Sequence, residues 1–398
     1  MSVLIFSFVI YLDYNLEKDL KIKKGTSINI ETFVPITTEY KGSSLSNQSD
    51  LTRMGNEFTV DLKMFGIIPV TPVNVRVVDE LQVAVLGEPF GMKIYTEGVL
   101  VIDLTEVKTE NGTKKPASEA GIKKGDYIIS VDGKEIHTNE DLSFIVENSM
   151  GNPLEFLIDR DGKKQKVKVK PVLSDETETY KIGIWIRDSS AGIGTLTFYS
   201  PANDIVCGLG HGICDEDTGK LLTINSGEIV DAQIISIEKG EAGAPGQLKG
   251  KFGFSRYGQI DLNCELGVYS VLKNNIETKD LTEIALKQEV REGSAKMLCT
   301  VDGDQPEYFD CEIKIRASAL HSKTQNMVIT ITDEKLLETT GGIVQGMSGS
   351  PVVQNGKLVG AITHVLVDDP TRGYAIFAEN MLETAQSVAD QQKLKEAS

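Results

Sequence analysis

Gly341-Gly-Ile-Val-Gln-Gly-Met-Ser-Gly-Ser-Pro-Val-Val-Gln-Asn-Gly-Lys-Leu-Val-Gly-Ala-Ile-Thr-His364 carries more structural instruction than any other segment of the chain. Glycines on both sides of Ser348 let the backbone make a tight turn that leaves the serine hydroxyl exposed. The same turn aims the N–H groups of Gly346 and Ser348 at one point, where they can receive negative charge developing on an oxygen. Pro351 then opens a strand, Asn355-Gly356 is a hairpin turn, and residues 358–363 form the returning strand. A glycine-rich turn alone is weak evidence. A turn, a hairpin and a return strand in register are much stronger, and they set Thr363 and His364 beside Ser348 as one wall of a cleft.

The core of that segment, Gly346-Met-Ser-Gly-Ser-Pro351, resembles the nucleophile turn of chymotrypsin-fold serine proteases. A serine hydroxyl is a poor nucleophile at neutral pH and needs a base, usually histidine. The chain has four histidines, so the choice is narrow. His211 lies in Cys207-Gly-Leu-Gly-His-Gly-Ile-Cys214, 348 − 211 = 137 residues before Ser348, and its flanking glycines place it on a loop able to reach across a cleft. That order and separation suit two β-barrels with the site between them. His364 is the rival base, but the hairpin makes it a cleft wall. His137 and His321 read as solvated. Gly208-x-Gly210-x-Gly212 is followed by no helix pattern and is not a phosphate loop. Asp231, Asp261, Asp302, Asp304 and Asp333 all lie between His211 and Ser348, and sequence alone does not choose among them as the group that orients the imidazole.

Composition sets the outer limits. The 398 residues suggest two or three domains. A net charge of −17 offers no basic footprint for nucleic acid and disfavours an anionic membrane surface as the main partner. Five cysteines without a C-x-x-C spacing argue against a disulfide scaffold and against a structural zinc site, and no metal or cofactor is expected. Residues 2–12 form an apolar run too short to span a bilayer, read as the remnant of a signal anchor within a membrane-proximal segment, 1–19. Residues 20–85 read as a β-rich module, with strands at 27–30, 58–62 and 73–78 and a loop at 41–47.

Residues 86–172 have another rhythm. Gly98 opens a strand, Pro116-Ala-Ser-Glu-Ala-Gly121 is a short helix stopped by glycine, and 124–133 is a strand closed by an Asp-Gly turn. Residues 138–148 read as a capped helix with Leu142, Ile145 and Val146 on one face. Strands at 154–159 and 164–172 come next. This order resembles a PDZ domain, a fold that takes a peptide as an added strand and holds its terminal carboxylate on backbone N–H groups. The matching residues are Glu97, Gly98, Val99 and Leu100. From 178 to 398 many short alternating strands separated by turns suggest barrels, closed by a helix at 380–395.

Four segments together, Ala191-Gly-Ile-Gly-Thr-Leu-Thr-Phe-Tyr199, Gly208-Leu-Gly-His-Gly212, Pro245-Gly-Gln-Leu-Lys-Gly250 and Gly342-Ile-Val-Gln-Gly-Met-Ser-Gly-Ser-Pro351, resemble the SpoIVB peptidases, the stage IV sporulation signalling serine proteases of endospore-forming bacteria. The resemblance covers nearly the whole chain. It implies a mainly β fold, a chymotrypsin-like double barrel behind an α+β PDZ domain. It implies Ser348 as nucleophile, His211 as base and Asp333 as acid, although 15 residues between Asp333 and Ser348 is not the usual chymotrypsin spacing and a Ser–His dyad is the alternative. It further implies export from the forespore into the intermembrane space, self-cleavage, and cleavage of a regulatory membrane protein that lets a mother-cell sigma factor be activated. The PDZ domain would bind peptide C-termini of its own chain or of the target. Met347 stands where zymogen-activated trypsin relatives carry aspartate, which argues against activation by a freed N-terminus and turns attention to the PDZ domain for control. Two rival readings are a non-catalytic PDZ scaffold and a general extracytoplasmic quality-control protease.

Overall fold

The computed structural model describes residues 7, 9, 10 and 18–396, apart from 25, 27, 29–33, 41–42, 45–55, 273–279 and 317–321. Most of the apolar run at 2–12, all but Ile28 of the strand expected at 27–30, most of the loop expected at 41–47 and His321 lie outside the described residues. Near the N-terminus, β1 (Asp19–Lys23), β2 (Ile36–Tyr40), β3 (Ser43–Ser44), β4 (Glu57–Met64) and β5 (Ile68–Val78) form a sheet in the order β1-β5-β4-β2-β3. Alternation sends Val60, Leu62, Val73 and Val75 to the buried face with Leu20 and Ile22. The module is tied to the rest of the chain by charge. Lys21 reaches Glu379 at 3.1 Å and also Glu383, and Lys23 reaches Glu289 at 2.6 Å and also Glu283.

Beyond this module, two long strands, β7 and β16, organise the chain. After β6 (Gln82–Val85), β7 (Pro89–Leu104) runs for 16 residues, with a bulge in its ladder between Tyr95 and Leu100. Next come the hairpin of β8 (Val107–Thr109) and β9 (Gly112–Lys114), α1 (Pro116–Glu119), β10 (Tyr127–Val131), β11 (Lys134–Glu135), α2 (Asn139–Glu147), β12 (Leu154–Arg160) and β13 (Lys163–Val169). Proline begins α1, where its missing N–H costs nothing. Thr138 and Asp141 cap α2 reciprocally. A short pair, β14 (Val172–Leu173) and β15 (Tyr180–Lys181), leads into β16 (Ile184–Ser200), 17 residues long. Val99, Ile128, Leu142 and Phe156 centre the PDZ core, and Ile184 and Ile186 of β16 pack against it.

β7 and β16 belong to two domains at once. At their far ends Leu100 pairs with both Tyr127 and Arg187, inside the PDZ sheet. At their near ends residues 90–95 of β7 are paired on both edges, with β16 on one side and β18 (Ile224–Glu238) on the other. Phe90 and Ile94 are buried there with Leu196, Tyr199, Val206, Ile229 and Val268. The PDZ fold is therefore inserted between two neighbouring strands of the first barrel. The expected boundary at residue 86 falls before a strand that serves the barrel. Alternation reveals which face of a strand is buried but not which sheet owns it.

The first barrel adds β17 (Ile205–Gly208), β19 (Gln247–Gln259), β20 (Leu262–Cys264) and β21 (Gly267–Val271), and β22 (Thr282–Glu283) pairs with β6. The second barrel contains β23 (Gly293–Cys299), β24 (Glu307–Ile315), β25 (Met327–Ile331), β26 (Pro351–Gln354), β27 (Lys357–Leu366) and β28 (Asp369–Phe377), and closes in the order β23-β24-β25-β28-β27-β26. Helix α3 (Glu334–Thr340) comes after β25. Helix α4 (Ala378–Glu396) lays Met381, Leu382, Ala385 and Val388 over Phe198, Tyr269 and Ile376, covering the seam between the barrels. The architecture is mainly β, with an α+β PDZ insertion.

Candidate active site between the two barrels

Ser348 sits between α3 and β26 in a turn with glycine at both bends, Gly346 at φ +97° and Gly349 at φ +96°. Neither could be replaced freely. A Cβ on Gly349 would lie 1.9 Å from the Thr195 carbonyl oxygen. Met347, fully buried, anchors the turn in the core of the second barrel. That packing explains why an apolar residue stands where trypsin relatives carry aspartate.

The backbone of the turn can be accounted for group by group. Gln345 N donates to Gly246 O, Met347 N to Val344 O and Gly349 N to Ile362 O, at 2.8, 3.1 and 2.8 Å. On the carbonyl side, Gln345 O accepts from Leu248 N, Met347 O from Ser350 N and Ser348 O from Thr195 N, at 2.8, 3.0 and 2.9 Å. The Thr195 hydroxyl donates to Gly346 O at 2.9 Å and the Thr197 hydroxyl to Gly349 O at 2.7 Å. Only the N–H groups of Gly346 and Ser348 find no acceptor among the described residues. Paired backbone groups are the rule in folded proteins, so two free donors beside a half-buried serine are a notable exception. They are the pair an oxyanion needs.

His211 comes after β17 on a loop bent by Leu209 and Gly210, both at φ +66°. Gly210 lies against Thr363 of β27: a Cβ there would be 3.1 Å from the Thr363 methyl. Next to it, the His211 ring stacks on His364 with centroids 4.5 Å apart and planes tilted by 37°. The Ser348 hydroxyl donates to the Thr363 carbonyl at 2.6 Å. Thr363 and His364 thus form the platform on which the serine turn of one barrel and the histidine loop of the other meet. In this arrangement the hydroxyl points at Thr363 rather than at His211.

The electronic state of His211 is set by its neighbours. Nδ1 lies 2.8 Å from the Gly212 carbonyl. A carbonyl can only accept, so the proton is on Nδ1 and the Nε2 lone pair is left available. Burial, together with the His364 ring, brings the pKa of His211 down to about 4. The imidazole is neutral at physiological pH. Desolvation lowers His364 as well.

The remaining expected residues are placed elsewhere. Asp333 is the N-cap of α3, one oxygen accepting from Leu336 N at 3.0 Å and the other from Asp310 N at 3.2 Å. Among the described residues no carboxylate bonds to His211. Its imidazole is oriented by a neighbouring backbone carbonyl instead. Glu97, Gly98, Val99 and Leu100 form no open loop. Glu97 N donates to Thr223 O at 3.3 Å, while Val99 and Leu100 are buried in the ladder with β10. Residues 184–187 of β16 cover this edge, with the Asp188 carboxylate capping α2 by accepting from Asn139 N at 2.9 Å. The edge position beside α2 therefore belongs to Ile184 and its successors, after Gly183 at φ +74°. The sequence signal is Ile182-Gly183-Ile184, an apolar-Gly-apolar step opening a strand, hidden because it lies beyond the PDZ-like run. Sequence reasoning also misses Thr195 and Thr197, both almost fully buried, although two threonines two apart on one strand face are an unusual pair to bury. All five cysteines are free thiols. No group of three or more His, Cys, Asp or Glu side chains gathers among the described residues to hold a metal.

A nucleophile turn from one barrel facing a neutral histidine from another is the arrangement of a chymotrypsin-like serine peptidase, here with a PDZ domain set into its first barrel. The chain belongs to the SpoIVB peptidase S55 family, which it matches over residues 178–382, and it matches the PDZ domain family over 74–170. Its curated relatives share a short part. A putative zinc metalloprotease of Brucella suis is 34% identical over 20% of this chain and 21% of its own length. A probable periplasmic serine endoprotease, DegP-like, of Bartonella henselae is 41% identical over 18% of this chain and 14% of its own. The chain thus spans about a fifth or less of these proteins. Among solved structures, the PDZ domain of a Listeria monocytogenes SdrC-like protein is similar over 23% of this chain and 87% of its own, at 22% identity and a TM-score of 0.19. The thermostable serine protease AL20 from an extremophilic microorganism is similar over 50% of this chain and 92% of its own, at 12% identity and a TM-score of 0.29.

Proposed function

We propose that this serine peptidase is a signalling endopeptidase of sporulation that works by a Ser348–His211 dyad, cleaving itself and a regulatory membrane protein so that a mother-cell sigma factor is activated. The observation that carries the chemistry is the pair of unpaired N–H groups on Gly346 and Ser348. An extended substrate lying antiparallel to β27 presents a backbone N–H to the Thr363 carbonyl. That N–H competes with the Ser348 hydroxyl for the carbonyl, so substrate arrival releases the nucleophile. The freed hydroxyl passes its proton to His211 Nε2 as Oγ attacks the scissile carbonyl. The oxyanion is received by the two free N–H groups. The imidazolium then returns its proton to the departing amine, and water repeats the cycle to release the acyl group. Gly212 O keeps the imidazole in the working tautomer, a task that a carboxylate performs in a triad.

The setting rests on the family and on the apolar composition of one segment. Membership of the SpoIVB peptidases supports a role in sporulation and an extracytoplasmic site in the forespore intermembrane space. The apolar run at 2–12 supports a membrane-proximal start. Among the described residues no helix is long and apolar enough to cross a membrane. For the PDZ domain, the edge of β16 beside α2 is the place at which a peptide C-terminus, from this chain or the target, adds as a strand.

The test tracks the intact mass of residues 20–398 and of its Ser348→Ala variant over hours. Self-cleavage in the wild type alone supports the reading and gives the first cut positions. One or two cuts favour signalling, whereas scattered cutting of any unfolded protein favours quality control. Equal silence from both, even with candidate membrane-protein tails, would leave the PDZ scaffold.

A further inference from the structure

We infer that Thr195 is a positioning residue for the oxyanion site, holding the Ser348 turn from the opposite barrel; this rests on the peptidase reading above. Thr195 lies on β16 and makes two bonds to the turn, N–H to Ser348 O and hydroxyl to Gly346 O, each at 2.9 Å. Its own carbonyl accepts from Leu209 N at 3.3 Å, two residues before His211. One residue therefore touches both halves of the site.

The geometry explains why these two carbonyls matter. In a trans peptide the C=O of one residue and the N–H of the next point in opposite directions, so fixing a carbonyl fixes a whole plane. Thr195 holds the planes 346–347 and 348–349. The free donors belong to the planes 345–346 and 347–348, which alternate with them. Gln345 O and Met347 O fix those planes through Leu248 N and Ser350 N. Every plane of the turn is thus restrained, and Thr195 supplies two of the restraints. Without its hydroxyl, the plane after Gly346 keeps only the longer bond from Met347 N to Val344 O, at 3.1 Å, and tilts more easily, because glycine at φ +97° carries no side chain to resist. Rotation there turns the neighbouring N–H away from the oxyanion. Losing bonds that act only once charge has developed lowers kcat rather than raising KM.

Thr195→Val keeps the shape and removes the hydroxyl, and Thr195→Ser restores it. Each full-length variant would be assayed on a fluorogenic peptide built on the self-cleavage site, beside a peptide aldehyde of the same sequence. The expected result for valine is a kcat lower by about tenfold or more with KM within twofold, below the loss of about 10²–10³ for deleting an oxyanion donor outright. Aldehyde affinity should fall in parallel, and serine should return both to within threefold of wild type. A folded valine variant with unchanged kcat, or one whose loss lies in KM, overturns the inference. If valine does not fold, Thr195→Cys, whose thiol is a weak donor, is judged by the same criteria. If the wild type is no more active than Ser348→Ala, the peptidase reading falls and this inference with it. If only the valine criterion fails, the peptidase reading stands.

Discussion

The barrel that carries Ser348 closes on itself, whereas the sheet that carries His211 shares β7 and β16 with the PDZ fold. A closed barrel has no edges, so the pairing of its strands is satisfied from within. The first barrel has no such independence. Its Thr195 and the edge beside α2 lie on the same strand, β16. The nucleophile is held by one domain, and the means of aligning it is held by another. This division offers regulation a physical route.

The largest effect comes from breaking the shared strands. Deleting 86–172 removes residues 90–95, which are paired on both edges in the first barrel. That shortened chain should show no cooperative thermal transition. A second variant excises the PDZ fold but joins Thr96 to Asp188 through Asn-Gly. Tyr95 pairs with Ser189, so a two-residue hairpin fits the register. It should melt cooperatively. If the PDZ domain gates the peptidase, its self-cleavage differs severalfold from wild type; equal rates would remove the gate.

Next in size are two glycines, one at the barrel interface and one in the open. Gly349→Ala sets a Cβ 1.9 Å from the Thr195 carbonyl oxygen at φ +96°. The clash should cost about 2–4 kcal/mol by denaturant unfolding and abolish turnover. Gly356→Ala, at φ +77° in the Asn355-Gly356 hairpin with nothing within 4 Å, carries backbone strain alone. It should cost about 1 kcal/mol and leave turnover intact. Similar losses from the two would mean that the turn yields more easily than the contact between barrels implies.

How much of this was legible depends on what each signal reports. The Ser348 turn, the Asn355-Gly356 hairpin and the Thr138 cap were readable because each is a local rule written into a few adjacent residues. His211 was readable because few histidines competed. The double service of β7 and β16 was not, since Glu97-Gly98 reads locally as the mouth of a loop and only tertiary pairing builds it into one strand, with a bulge at Gly98. Asp333 shows the same limit from the other side. An aspartate three residues before Leu336 is equally a helix cap and a candidate acid, and only coordinates show where its oxygens point.

Asp333 therefore supplies a sharper and smaller test. Asparagine can still cap a helix but cannot act as a carboxylate, so Asp333→Asn should keep kcat/KM within about threefold. Asp333→Ala should lose about 0.5–2 kcal/mol of stability with the same kcat/KM per folded molecule. If the asparagine variant fell a hundredfold while its melting temperature held, the third catalytic role would return to Asp333, and the structure would have to rearrange around His211 during turnover.

The smallest effect lies in the pH profile, and it separates the causes acting on His211. The base works only when neutral, and kcat/KM reports the free enzyme. With a pKa of about 4, kcat/KM should stay level as pH falls from 7 and drop to half only near that value, where an unperturbed imidazole would already be half-inactive near 6.5. Burial is the larger cause and the His364 ring the smaller. His364→Phe keeps an aromatic ring on His211 and removes the like charge, so the acid limb should move upward by only the minor share of the shift. A limb that returned all the way to the ordinary histidine range would mean that the stacked imidazole, and not desolvation, keeps the base neutral. A limb that did not move would leave burial as the whole cause, with His364 serving only as the wall on which the histidine loop rests.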